Sequence, residues 1–313
     1  MSEPIAMREA FGQTLVALGK RVPDLVVLDA DLAPATRAVL FAQAFPERFF
    51  QVGIAEQNMI GIAAGLSTLG FIPFTSTFAC FAKRNLDQIR MVVAQPRNNV
   101  KITGHYSGLL AGKTGKTHLA IQDMAIMRSM PNMTVIAPAD GIEVEKAMEA
   151  LVAVHGPAYL RLTRDPSPVI FDGSYRFEIG RAVRLREGTD ITLISTGIQT
   201  SRTLQAADML NAQGISTLVV HVPTLKPLDA DTIIAAAEQT GLVVTAEEHS
   251  ILGGLGGAVA EVLSEHRPTP LVRVGVHDVY AESAPNDALL EKYGVTARHV
   301  AEAARSHLAK WRR

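Results

Sequence analysis

A chain of 313 residues with 30 basic and 31 acidic side chains, 48% hydrophobic and 19% charged, has material for about two domains and no global pull toward nucleic acid or membrane. Its single cysteine, Cys80, excludes a disulfide framework within the chain and fits a reducing compartment. The opening MSEPIAMREAFG carries acids and no long apolar run, and the longest apolar stretches break well short of a membrane span, so no signal peptide or spanning helix is expected and a cytoplasmic location is.

Residues 5–20 read as a helix and DLVVLDA (24–30) as a buried strand. PATRAVLFAQAF (34–45) reads as a short helix, FFQVG (49–53) as a strand end, and 56–69 as an apolar helix. FIPFTST is a strand, NLDQIRMVVAQ a helix and NVKITG a strand, followed by a Gly-rich loop over 104–121. Helix 122–130, strand MTVIAP, helix DGIEVEKAMEALVAVH and strand AYLRLTR complete this half. RDPSPVIFDGSYRFEIGRAV (164–183), with two prolines, reads as a linker. The alternation then resumes: strand ITLISTG, helix 199–213, strand ISTLVVHV, helix ADTIIAAAEQT, strand GLVVTAEE, helix 255–265, strand LVRVGV and a final helix at 297–309. Continuous apolar strands separated by helices indicate parallel sheets covered on both faces. The expectation is two doubly wound α/β domains, 1–170 and 178–313.

Open parallel sheets bind ligands outside the carboxyl ends of their strands. That rule gathers the loops 29–36, 53–57, 75–81, 104–121 and 164–168, and with them Asp29, Asp31, Glu56, Phe78, Phe81, Arg84, His105, His118 and Arg164. Glu56 is conspicuous, because it opens a helix that is apolar nearly all round. A buried carboxylate is costly unless something pairs with it. It is therefore either a first-turn residue facing water or an acid held dry for a purpose. Elsewhere the signals are weaker. GGLGG (253–257) precedes a helix, so an anion could sit there, but a tight turn with close packing is the plainer reading. AGKTGKTH has the wrong spacing for a phosphate loop, and there is no GxSxG and no metal-ligand spacing. Glu247–Glu248 before His249 could serve a site, but solvated charge or a cap explains the pair at least as well.

The segments VGIAEQNMIGIAAGLSTLG, STFACFAKRNLDQIR, ITGHYSG with GKTHLAIQDMAIMRSMPNMTVIAPADGIE, and AYLRLTR recur in order and at matching intervals. Together they resemble the pyrimidine-binding half of transketolases, thiamine diphosphate enzymes with 1-deoxyxylulose-5-phosphate synthase as a relative. The likeness covers nearly all of residues 5–170, and 178–313 resembles the family's C-terminal domain. It implies that Glu56 shares a proton with the ring nitrogen of the cofactor's aminopyrimidine. It implies that Phe78 and Phe81 line the pyrimidine pocket and that Asp31 lies near the thiazolium. His105 and His118 would face substrate and handle its protons, as suits imidazoles near neutral pH. Arg164 and Arg8 would bind substrate phosphate, for which a guanidinium fork is well shaped. Arg84 stands where relatives place tyrosine or arginine in the pocket.

Three positions depart from the family pattern: Thr114 replaces an aspartate, Leu119 a glutamine and Ala35 a serine. The sugar-recognition surface is therefore expected to differ. The Gly-Asp-Gly…Asn motif that holds the diphosphate through magnesium is absent from these residues. The resemblance thus implies a partner, an N-terminal transketolase subunit with the diphosphate-binding domain and its Mg2+, in an α2β2 assembly acting on sugar phosphates. Two other readings stay open: a β subunit of a 2-oxo-acid dehydrogenase or pyruvate-using synthase, and a non-catalytic scaffold subunit. Arg164 and the GHYSG…THL loop favour transketolase over the first, and the intact Glu56 and Phe81 weigh against the second.

Overall fold

The computed structural model describes residues 3–311. Its first sheet has seven strands in the order Thr224–Lys226, Thr134–Ile136, Ala158–Arg161, Lys101–His105, Ile72–Phe78, Leu25–Asp29 and Phe49–Gln51. All neighbours run parallel except the first pair. Leu25–Asp29 and Lys101–His105 are buried throughout, as a strand covered on both faces requires. One layer of core, with Phe11, Leu15, Phe41, Phe74 and Leu160, lies under helices Met7–Arg21 and Gly141–Ala153. The other, with Met59, Ile60, Ile89, Ile102 and Tyr159, lies under helix Glu56–Thr68. The register brings Asp29 beside Gln51 and Ser76, and Phe78 beside His105. Four strands thus end together along one edge, and the site is built there.

The second sheet has the order Leu271–Val276, Val243–Ser250, Ile191–Ser195, Thr217–His221 and Val183–Arg186, with only the last strand antiparallel. Helices Gln199–Asn211 and Ala297–Trp311 cover one face, and Ala230–Thr240 and Leu255–His266 the other.

Several expectations need correction. Residues 34–45 do not form one helix. Arg37 takes a left-handed φ of 68°, splitting it into Ala33–Thr36 and Val39–Ala44. Packing fixes the break, because a Cβ on Gly12 would stand 2.6 Å from the Arg37 carbonyl oxygen. NLDQIRMVVAQ winds unevenly: a 3-10 turn at Lys83–Asn85 leads into it, and the α-turn Leu86–Gln88 passes into a π-helix at Ile89–Ala94. The expected linker is not loose. Ile170 and Phe171 donate backbone N–H groups to Asp140 at 2.6 and 2.9 Å, and Val183–Arg186 pairs as an edge strand. Helix Asn286–Lys292 has no counterpart among the expected elements. After His221 the chain leaves the second sheet, and Thr224–Lys226 joins the first one beside Thr134–Ile136. The two halves therefore share a sheet.

Candidate active site

At the carboxyl edge of the first sheet, Phe78 ends its strand and Phe81 follows in the short helix Ala79–Ala82. Their rings lie near parallel, 5.6 Å apart. His118 sets its edge against Phe81 at 5.2 Å and holds Thr117 Oγ1 at 2.9 Å through Nδ1. Phe81 and His118 remain partly open, which makes an aromatic shelf with an imidazole at its rim.

Glu56 is the first residue of helix Glu56–Thr68, and its side chain is only 4% exposed. No hydrogen bond from the described residues reaches its carboxylate. The nearest cation is Arg84 Nε at 3.7 Å, on the turn that follows Phe81, and Arg84 is itself largely exposed. Gln57 Nε2 donates to the Arg84 carbonyl at 3.0 Å, so helix and aromatic segment are tied together. A buried carboxylate beside an aromatic shelf, with its hydrogen-bonding capacity unspent, suits a heteroaromatic ring that offers a nitrogen or N–H.

Asp31 is exposed with φ 64°, and its N–H donates to Gln51 Oε1 at 2.8 Å. Asp29 is fully buried and supports that loop. It accepts from Leu32 N at 2.6 Å and Gln51 Nε2 at 3.1 Å, and burial pushes its carboxyl above the usual range. Arg8 Nη1 donates to the Tyr106 hydroxyl at 3.0 Å and to the Ala35 carbonyl at 3.3 Å. The Arg164 guanidinium lies 5.4 Å from the centre of the Tyr106 ring, which itself stacks on Phe78 at 4.1 Å. The structure thus brings Arg8, Arg164, Phe78, Phe81 and His118 together, with Glu56 and Arg84 adjoining through the Phe81 turn.

His105 does not join them. Expected to face substrate, it is fully buried, with Nε2 3.3 Å from Ser76 Oγ and its ring edge-on to Phe11 at 4.7 Å. Burial, with a further contribution from Arg8, pushes its pKa down to about 3. It is a neutral core imidazole. The residue that meets Arg8 and Phe78 at this edge is its neighbour Tyr106, itself largely buried, which sequence reasoning misses although it lies inside GHYSG.

Of the departing positions, Leu119 is buried in the core layer that also holds Phe78 and Tyr106. Thr114 is exposed and bonds its own turn at the Ala111 carbonyl.

The loop that carries Tyr106 and His118 is held by the second domain. Glu248 Oε1 accepts from Leu109 N at 2.8 Å, and Asn286 Oδ1 accepts from Gly112 N at 2.9 Å. Ser283 Oγ donates to the Lys113 carbonyl at 2.8 Å. Glu248 is a buried anchor, paired with Arg202, not a solvated charge. Beside it, Arg161 Nε and Tyr159 donate to Asp123 at 2.8 and 2.9 Å. Burial pushes the Asp123 carboxyl up, but Arg161 and His249 outweigh it and hold it below the usual range. Glu247 settles the GGLGG question. Its carboxylate accepts from Leu255 N and Gly256 N, both at 2.8 Å, and a Cβ on Gly254 would stand 2.0 Å from it. The acceptor at that helix N-terminus belongs to the chain itself.

No helix among the described residues is long and apolar enough to cross a membrane. Residues 3–168 match the family described as transketolase, pyrimidine binding domain, and residues 180–300 match transketolase, C-terminal domain. The chain is 43% identical over 299 residues to the 6-deoxy-6-sulfo-D-fructose transketolase subunit SqwH of Clostridium sp. (strain MSTE9), covering 95% of this chain and 93% of that protein. It is 35% identical over 308 residues to a subunit of the apulose-4-phosphate transketolase of Phocaeicola vulgatus, covering 98% of each. A solved structure described as a split gene transketolase in an inactive β4 tetramer superposes with a TM-score of 0.90 at 49% identity, over 98% of this chain and 99% of the other.

Proposed function

This chain belongs to the transketolase family, and from that premise we propose that it is the C-terminal subunit of a transketolase divided between two chains, moving a two-carbon ketol unit from a ketose phosphate to an aldehyde. Relatives that it matches from end to end carry the word subunit in their names, which supports a partner chain. The partner would hold the diphosphate of thiamine diphosphate through Mg2+, an ion that commonly takes phosphate oxygens with one or two carboxylates. The assembly would be an α2β2 complex working in the cytoplasm.

The observation that carries the reading is Glu56, a carboxylate buried at a helix N-terminus with no hydrogen bond from its own chain among the described residues. Thiamine diphosphate, when bound, supplies the carbon centre that adds to the donor ketone and stores the electron pair as the adjacent carbon–carbon bond opens. In this proposal Glu56 holds a proton at a pyrimidine nitrogen, and proton exchange by a positioned carboxyl is general acid–base work. Phe81 and Phe78 bury the pyrimidine face. Asp31 places negative charge beside the cationic half of the cofactor. Arg84 sits next to Glu56 and limits its access to water. His118, at the rim of the shelf, moves protons on the substrate hydroxyls. Arg8 and Arg164 take its anionic group. His105, buried behind the sheet edge, gives up the substrate-facing role and supports the strand end instead.

The test is Glu56→Gln in the complex with the partner subunit. It keeps size and hydrogen-bonding atoms but cannot exchange the proton, so kcat should fall by about 10²–10⁴-fold. Circular dichroism and subunit assembly should stay unchanged. Near-normal turnover in that variant would overturn the assignment.

A further inference from the structure

The strand Lys101–His105 ends at the buried His105, and Tyr106 follows it at the carboxyl edge of the sheet, only 7% exposed, with its ring in the core layer and its hydroxyl at Arg8. Tyr106 is held there at φ 57°, a left-handed backbone that bulky side chains rarely adopt and that is found at functional sites. The turn is pinned from below. Ser107 bonds the Leu162 carbonyl through both N and Oγ, at 3.1 and 2.9 Å, and Gly108 N bonds the Ala120 carbonyl at 2.8 Å.

Three donors with hydrogens to spare meet at this ring. The Tyr106 hydroxyl accepts from Arg8 Nη1, which leaves its own hydrogen free to donate. Arg8 Nε and Arg164 Nε are both buried with no hydrogen-bond partner among the described residues. Buried donors are rarely left so. The nearby carboxylate Asp165 is 3.9 Å from Arg164 and is itself bonded by Asn286. Ala35 offers only a carbonyl, already used by Arg8.

We propose that Tyr106 is a specificity-determining residue of the donor site: its hydroxyl, together with Arg8 and Arg164, receives the terminal tetrahedral oxyanion of the ketose, a phosphate or a sulfonate. The proposal rests on the transketolase reading and extends it to a residue and a headgroup. The Phe78 stack fixes the ring, so the hydroxyl is presented without loss of side-chain freedom on binding.

The experiment is steady-state kinetics of the two-subunit complex, wild type and Tyr106→Phe. The donors are fructose 6-phosphate, its 6-deoxy-6-sulfo analogue and uncharged erythrulose. The substitution keeps the stacked ring and removes only the hydroxyl. We expect KM for the charged donors to rise by about tenfold or more, the loss of one hydrogen bond to a charged group. The kcat values and the erythrulose KM should hold. A rise confined to the phosphate or to the sulfonate identifies the headgroup, and either result supports the proposal. Unchanged KM for both charged donors overturns it, as does an equal rise for erythrulose, which would mark a purely structural role. A wild-type complex that turns over none of the three ketoses would instead overturn the transketolase reading itself.

Discussion

Two adjacent residues, His105 and Tyr106, show how much a motif leaves undecided. GHYSG is legible as a site segment, yet which of its side chains faces the site depends on where the strand ends. That end is set by Phe78 pairing across to His105. Glu56 is legible because an acid opening an apolar helix is costly and so demands a reason. His105 carries a measurable consequence. Its folded pKa of about 3 lies below the ordinary 6.5, and His249 likewise falls to about 4 through burial. Between those values the unfolded chain binds protons that the folded chain refuses, so stability falls as pH drops below 6.5. Glu247 acts oppositely. Burial raises it from 4.5 to about 7, so its contribution weakens as pH climbs through that window. His105→Asn should therefore flatten the acid limb of the stability curve by about 1.4 kcal/mol per pH unit. Urea unfolding across that limb checks it, and parallel curves for variant and wild type would contradict it.

Among the elements, the long buried strands are readable because both faces are covered and their apolar runs are unbroken. Val183–Arg186 and Thr224–Lys226 are not, since a short polar-flanked run becomes a strand only through its neighbour. The helix Leu255–His266 illustrates the same limit. Its glycine-rich start signals close approach, but only the fold reveals that Glu247 is what approaches. Gly254→Ala would drive a methyl against that carboxylate, and overpacking of this kind costs about 1–3 kcal/mol. Thermal unfolding should show the loss as a lower Tm, and an unshifted Tm would mean the carboxylate moves aside freely. The glycine loop over 104–121 has a comparable dependence. Its shape comes from Glu248, Ser283 and Asn286, which lie more than a hundred residues away in sequence.

At the scale of the molecule, the boundary near residues 170–178 is a boundary of sequence pattern more than of stability. The second half lends a strand to the first sheet, and Arg161 donates to the Glu248 carbonyl at 3.0 Å across the junction. His221 meets Glu143 at 2.8 Å in another buried contact between the halves. Groups of this kind are costly to leave buried without their partners. The chain should therefore unfold in one calorimetric transition, with calorimetric and van't Hoff enthalpies equal. Two resolved transitions would show that the halves are independent after all.

The shared sheet also bears on synthesis. Thr134–Ile136 and its parallel neighbour Ala158–Arg161 leave the ribosome well before Thr224–Lys226. At roughly 5–20 residues per second, the nascent first domain waits several seconds with an open edge. An unpaired edge is a template for strands of other chains. Until residue 226 emerges, the growing polypeptide carries an adhesive border that the finished protein conceals, and a chaperone would find its purchase there.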